Sequence, residues 1–182
     1  MKYSDTTLPI FVYGTLRHRQ GNWWHHLRGR TGEHERATVS GARLWAGPGF
    51  PFASLTEEAD DFVVGEVHWL RPETAMSTLQ RLDDLEGFRA GRPDNLFDRV
   101  AVWARLADGD VAAWMFVVAD SGRLAILASI PSGDWLTHVS SGGGDDVGSG
   151  CPSSLGRTAG QRAPGHAAET GRFGSTNLTL HA

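Results

Sequence analysis

Leu8-Pro9-Ile10-Phe11-Val12-Tyr13-Gly14-Thr15-Leu16-Arg17 is the stretch on which the reading of the chain turns. A short apolar run bounded by a turn signal has the length of a buried strand rather than a helix. Gly14 closes the run where the chain must turn, and Thr15 stands in position to cap the next segment. A strand that hands over to a loop with free backbone N–H groups suits an anionic ligand.

Working outward, residues 22–27 read as one or two helical turns with Trp23 and Trp24 on different faces. Residues 38–45 and 62–70 read as strands, and in the second Val63, Gly65, Val67 and Trp69 alternate with Val64, Glu66 and His68. Between them, Ala46-Gly47-Pro48-Gly49-Phe50-Pro51-Phe52 is a rigid loop bearing aromatics, suited to form a wall. Pro72 fits the first turn of a helix, Glu73 its positive end, and Gly87 the left-handed cap that would stop it. Strands over 97–106 and 111–118 come next, joined through Ala107-Asp108-Gly109-Asp110, a hairpin signal. Many strands, one clear helix and no βαβ rhythm predict an α+β domain round a curved antiparallel or mixed sheet.

The 182 residues suffice for one domain, and 40% hydrophobic residues with seven Trp and eight Phe can close a core. Seventeen Lys and Arg against 21 Asp and Glu give a net charge of −4, which leaves no broad basic surface for nucleic acid. Lys2 is the one lysine, so the domain lacks a reactive amine for Schiff-base chemistry. With Cys151 alone, neither an internal disulfide nor a thiolate metal site forms, which suits a reducing compartment. The longest apolar run, residues 111–119, is about half of the ~20 residues a membrane span needs, and the N-terminal run is short for a signal peptide. A cytoplasmic protein with no membrane partner is expected, as a monomer or small homo-oligomer. From Ser140 onward the chain turns rich in Gly and Ser with Phe173 its only aromatic, so residues 1–139 are expected to hold the domain and 140–182 a disordered tail.

At ~100° per residue, a helix over 72–86 sets Ala75, Met76, Leu79 and Leu82 on one stripe. Glu86, seven positions after Leu79, falls within that stripe at the last turn. A carboxylate in line with core-facing residues is partly desolvated and has a raised pKa, the condition of a general acid or base. Asp83 lies near the stripe edge and Asp84 points to water. The helix alone leaves a second reading open, a frayed end with Glu86 in solvent.

His25, His26, His34 and the neighbouring Glu33 and Glu35 lack His-Glu-x-x-His spacing, and neither metal nor cofactor is expected. Gly-x-Ser-x-Gly is missing from the folded part, and Ser132-Gly133-Asp134 reads as a turn held by Asp134. Trp45, Trp69, Trp103 and Trp114 alternate with strand neighbours and are expected to pack the core or line a pocket.

Phe11-Val12-Tyr13-Gly14-Thr15-Leu16-Arg17 resembles the YGTL signature of the γ-glutamylcyclotransferase-like family, and Leu82-Asp83-Asp84-Leu85-Glu86-Gly87-Phe88 resembles its acidic motif. Gly49-Phe50-Pro51, Val64-Gly65-Glu66-Val67, Phe97-Asp98-Arg99-Val100 and Ser132-Gly133-Asp134-Trp135 agree in family order, so the resemblance covers residues 9–135. Asn22-Trp23-Trp24-His25-His26-Leu27 and the Ser-Gly-Asp-Trp ending are most similar to the AIG2-like branch that holds the butirosin-pathway cyclotransferase.

The resemblance implies a small mixed β-barrel with flanking helices and a lyase or acyl-transfer reaction. A γ-glutamyl amine or amide would close to 5-oxoproline and release the free amine. It implies Glu86 as general base and acid, with the substrate held by Tyr13, Gly14, Thr15, Leu16, Arg17 and Pro51. Arg17 has a second reading, a solvated arginine after a turn, and Arg99 is read either as orienting an acidic partner or as exposed on its strand. Many family members carry tyrosine where this chain has Phe97 or Phe88, and also at Phe50; Thr15 and Ser132 are the hydroxyls left to fill the gap. The rival readings are a silent binding module of the same fold and a domain that uses the Tyr13 loop to hold phosphate or another anion.

Overall fold

A computed structural model describes residues 8–142; Cys151 and residues 143–182 of the expected tail lie outside the described residues. The chain runs β1 (Ile10–Val12), α1 (Gly21–His26), β2 (Thr31–Ser40), β3 (Ala42–Ala46), β4 (Pro51–Leu55) and β5 (Phe62–Leu70). It continues through α2 (Ala75–Glu86), β6 (Phe97–Leu106), β7 (Gly109–Val118), β8 (Ala128–Ser129) and α3 (Trp135–Gly142). Five strands close a barrel in the order β1, β5, β2, β6, β7, while β4, β3 and β8 form a separate sheet. The barrel is mixed because β1 meets β7 in parallel, Ile10 beside Trp114, whereas its other pairs are antiparallel.

That closure explains why β1 is apolar at every position. Phe11 and Tyr13 join one buried cluster with Val63, Val67, Met115 and Val117. The alternate residues Ile10 and Val12 join a second cluster with Leu27, Leu82, Phe97 and Phe116. A strand covered on both faces reads as a continuous apolar run instead of an alternating one. Each large side chain buried in this way contributes about 1.5–3 kcal/mol. Gly65 lets β1 approach β5, since a Cβ there would meet the Val12 carbonyl and stand 2.7 Å from the Phe11 ring.

Helix α2 begins at Ala75, three residues after Pro72, and stops at Gly87, whose φ of 67° is left-handed and whose N–H caps the Asp83 carbonyl. Its buried stripe is Ala75, Thr78, Leu79 and Leu82. Met76, expected on that stripe, is 67% exposed, because the i, i+3, i+4, i+7 path from Ala75 passes through Thr78. Strand β2 starts seven residues earlier than expected, and its extra residues Glu33, His34, Glu35 and Arg36 are exposed. Strand β4 begins inside what reads as a loop, with Pro51 as its first residue, a position that proline tolerates. Trp103 does not pack the core but stands 71% exposed, whereas Trp45, Trp69 and Trp114 are partly buried against it.

Ser132-Gly133-Asp134 is a turn. Gly133 has a φ of 62°, its carbonyl accepts the Val64 N–H at 2.8 Å, and the Asp134 carboxylate accepts the Leu136 N–H at 3.1 Å at the start of α3. Helix α3 runs on through Gly142, past Ser140 where the change to tail was expected. Among the described residues no helix is long and apolar enough to cross a membrane.

Candidate active site

The loop after β1, the loop before β4 and the C-terminal end of α2 meet round a cavity of about 250 Å³. Tyr13, Gly14, Thr15 and Leu16 supply one side, Phe50 and Pro51 a second, and Leu85 and Glu86 a third. Phe97 and Phe116 close it from the barrel. Of the residues singled out in the sequence, Tyr13, Gly14, Thr15, Leu16, Pro51 and Glu86 are thus brought together.

Contact between the first two loops depends on Gly14. A Cβ there would lie 2.8 Å from Cδ of Pro51 and 2.9 Å from its Cγ, closer than real atoms pack. Among the described residues, the amide N–H groups of Gly14, Thr15 and Leu16 have no backbone partner, whereas the Arg17 N–H turns back to the Gly14 carbonyl at 3.0 Å. Consecutive unpaired N–H groups at a cavity wall are suited to a carboxylate or an oxyanion. The Thr15 carbonyl accepts the N–H groups of Asn22 and Trp23 at 3.0 and 3.2 Å, so Thr15 tethers α1 through its backbone. Its hydroxyl oxygen adds a second tie to the helix, accepting from the Asn22 side-chain amide at 2.9 Å. That leaves the hydroxyl hydrogen free to donate elsewhere. Asn22, which also lines the cavity, escaped the sequence reading because a loop brings it back over seven residues.

Among the described residues, Glu86 is the one charged residue of the cavity lining. Burial alone pushes its carboxyl up to about 7, and among the described residues no ion pair opposes this. Tyr13 feels that charge: burial first and Glu86 second raise its phenol well above 10, opposed by a backbone hydrogen bond from Ala53. The phenol therefore stays protonated and donates to the Phe116 carbonyl at 2.7 Å. Asp83, the other acid near the stripe, is spoken for by Arg99, whose guanidinium reaches both carboxylate oxygens at 2.8 Å. Arg99 lies over the rings of Phe88 and Trp114 at 5.2 and 5.0 Å, so it orients an acidic partner. Phe97 stands in the cavity wall without a hydroxyl, while Phe88 and Ser132 lie outside the lining.

Arg17 neither lines the cavity nor stands in solvent; it is buried, at 6% exposure. Its guanidinium bonds Asp134 at 2.6 Å and Glu66 at 3.3 Å, and Glu66 in turn accepts the His18 N–H at 2.7 Å. Partners 49 and 117 residues away draw it inward, a pairing no local pattern announces. Arg17 therefore anchors the cavity loop from behind. His68 sits against Glu66 at 3.0 Å, and its burial lowers its pKa below 6.5, so at neutral pH it gives its Nε2 hydrogen to the carboxylate. The His34 ring stacks between those of His68 and His18, at 5.0 and 4.3 Å. Among the described residues, no group of three or more His, Cys, Asp or Glu is arranged to hold a metal ion.

A closed five-stranded mixed barrel flanked by helices is the architecture of a cyclotransferase-like fold. The chain belongs to the family described as Gamma-glutamyl cyclotransferase, AIG2-like, whose model matches residues 10–137. No curated protein matches it. Among solved structures, ytfP from Escherichia coli is 28% identical with a TM-score of 0.50, over 72% of this chain and 99% of that one. YkqA from Bacillus subtilis is 24% identical with a TM-score of 0.56 over 75% of this chain, which spans 43% of YkqA. An AIG2-like protein from Mus musculus is 20% identical with a TM-score of 0.52, over 70% of this chain and 88% of that one. The last two likenesses concern the fold.

Proposed function

We propose that the protein is a cytoplasmic γ-glutamylcyclotransferase, which closes a γ-glutamyl amine or amide to 5-oxoproline and frees the amine without a metal. The observation that carries this reading is Glu86, an unpaired carboxyl raised to about 7 at the wall of a cavity. A γ-glutamyl group holds its own nucleophile, so the enzyme has only to fold the substrate and move protons.

With a pKa near neutrality, Glu86 takes a proton from the substrate's α-ammonium group. The freed amine attacks the γ-carbonyl, and the new C–N bond closes a five-membered ring. Negative charge builds on the carbonyl oxygen, where the unpaired N–H groups of the Gly14 to Leu16 loop are suited to receive it. Glu86 returns its proton to the departing nitrogen as the old C–N bond breaks, and no water is consumed. Tyr13, held protonated against Phe116, keeps the floor of the site neutral.

The test is 5-oxoproline release by the full chain from a panel of γ-glutamyl amides. Glu86→Gln is expected to lower kcat by about 10²–10⁴ while binding persists. The wild-type rate should climb with pH through about 7, as the carboxyl ionises. Undiminished turnover in Glu86→Gln overturns the mechanism, and tight binding without product makes the protein a binding module.

A further inference from the structure

Beyond the acid, the cavity wall says what kind of amine can leave. Phe50 packs on Phe52 with ring centroids 5.1 Å apart, and Phe52 stacks on Phe97 at 5.3 Å and 18°. Phe50 and Phe97 line the cavity and Phe52, outside the lining, joins them, so the rings form a continuous apolar ladder from the rim, where Phe50 is 37% exposed, to the interior, where Phe97 is buried. Two glycines hold it in place: Gly49 turns the chain with a φ of 88°, and a Cβ on Gly47 would lie 2.6 Å from the Phe50 carbonyl oxygen. Leu85, also at the rim on the acid's own helix, and Leu96, just before β6, line the cavity as well.

Among the described residues, no arginine, lysine or aspartate lines this space, and Glu86 is its single charge. Arg17, the nearest cation along the chain, is committed to Glu66 and Asp134. A leaving amine that carries a carboxylate would find no cation here, and one with a second ammonium would find no acid besides the one the reaction uses. Placing either charge against the ladder costs desolvation without compensation. A cavity of about 250 Å³ also lies below the ~300–1,000 Å³ of sites for drug-sized ligands.

Resting on the reading of the site as a γ-glutamylcyclotransferase, we infer that the apolar wall of Phe50 and Phe97, backed by Phe52, selects γ-glutamyl amides of small uncharged alkyl or aryl amines, against those of amino acids and of diamines. The bonds made and broken are those already described; only the amine is specified.

The experiment compares kcat/KM of the full chain on three probes, γ-glutamyl isobutylamide, γ-glutamyl alanine and γ-glutamyl putrescine. The isobutylamide is expected to lead both charged probes by roughly tenfold or more, the scale on which apolar pockets discriminate. Phe50→Glu should erase that lead over the putrescine amide and leave the alanine amide the poorest. Charged probes turned over within about threefold of the isobutylamide overturn the inference and leave the cyclotransferase reading standing. No 5-oxoproline from any of a broad panel overturns both.

Discussion

Two glutamates of this domain, twenty residues apart, are both withdrawn from solvent and titrate in opposite directions. Burial raises Glu86 to about 7, and among the described residues no ion pair opposes it. The same burial tends to raise Glu66, but the His68 hydrogen bond, the His18 N–H and the charge of Arg17 outweigh it and hold that carboxyl at about 2. Desolvation is common to both, so partners decide whether a buried acid becomes a proton carrier or a fixed anchor. One side of the first loop thus faces a carboxyl that titrates near neutrality, and the other faces a carboxylate that keeps its charge.

Arg17→Met is the most severe way to break this contrast. It strands Glu66 and Asp134 without their shared cation and is expected to cost about 3–5 kcal/mol in chemical denaturation at pH 7. A loss below about 1 kcal/mol would mean that the anchor is ornamental.

The acid dependence of stability separates the two carboxyls next. Glu66 stabilises the fold above pH 4.5, its ordinary value, and that contribution fades as pH falls towards 2. Glu86 has the opposite sign: its raised pKa weakens the fold as pH climbs from 4.5 to 7, by up to about 3 kcal/mol. Glu86→Gln should therefore be more stable than the parent at pH 8 and match it at pH 4, which melting curves across that range will show. Equal stability at both values would mean that Glu86 reaches solvent.

Gly14→Ala has the smallest expected effect on stability, about 1–3 kcal/mol, because a methyl must displace the Pro51 ring. Its effect on turnover should exceed its effect on melting, since the N–H groups next to it would be re-aimed.

Much of this arrangement is legible in the sequence, for reasons particular residues make plain. The αL stop at Gly87, the hairpin between β6 and β7, and Glu86 in line with Leu79 and Leu82 are all encoded within a few residues of each other. Local chemistry writes local signals. What stays hidden is long-range: Arg17 finds Glu66 and Asp134 across the barrel. Strand β4 is concealed by Pro51 and its flanking glycines, and the polar run of Glu33 to Arg36 conceals the first half of β2. Met76 leaves the stripe because Thr78, a polar residue, occupies a core position with 0% exposure.

The parallel seam between Ile10 and Trp114 has a consequence for biosynthesis. The first strand emerges from the ribosome with both faces apolar; β5 reaches one of its edges after about sixty residues, but the other edge must wait for β7, about a hundred residues later. At ~5–20 residues per second that wait lasts roughly 5–20 s. Since the loop from Tyr13 to Arg17 hangs on that strand, the candidate cleft assembles only after β7 has emerged.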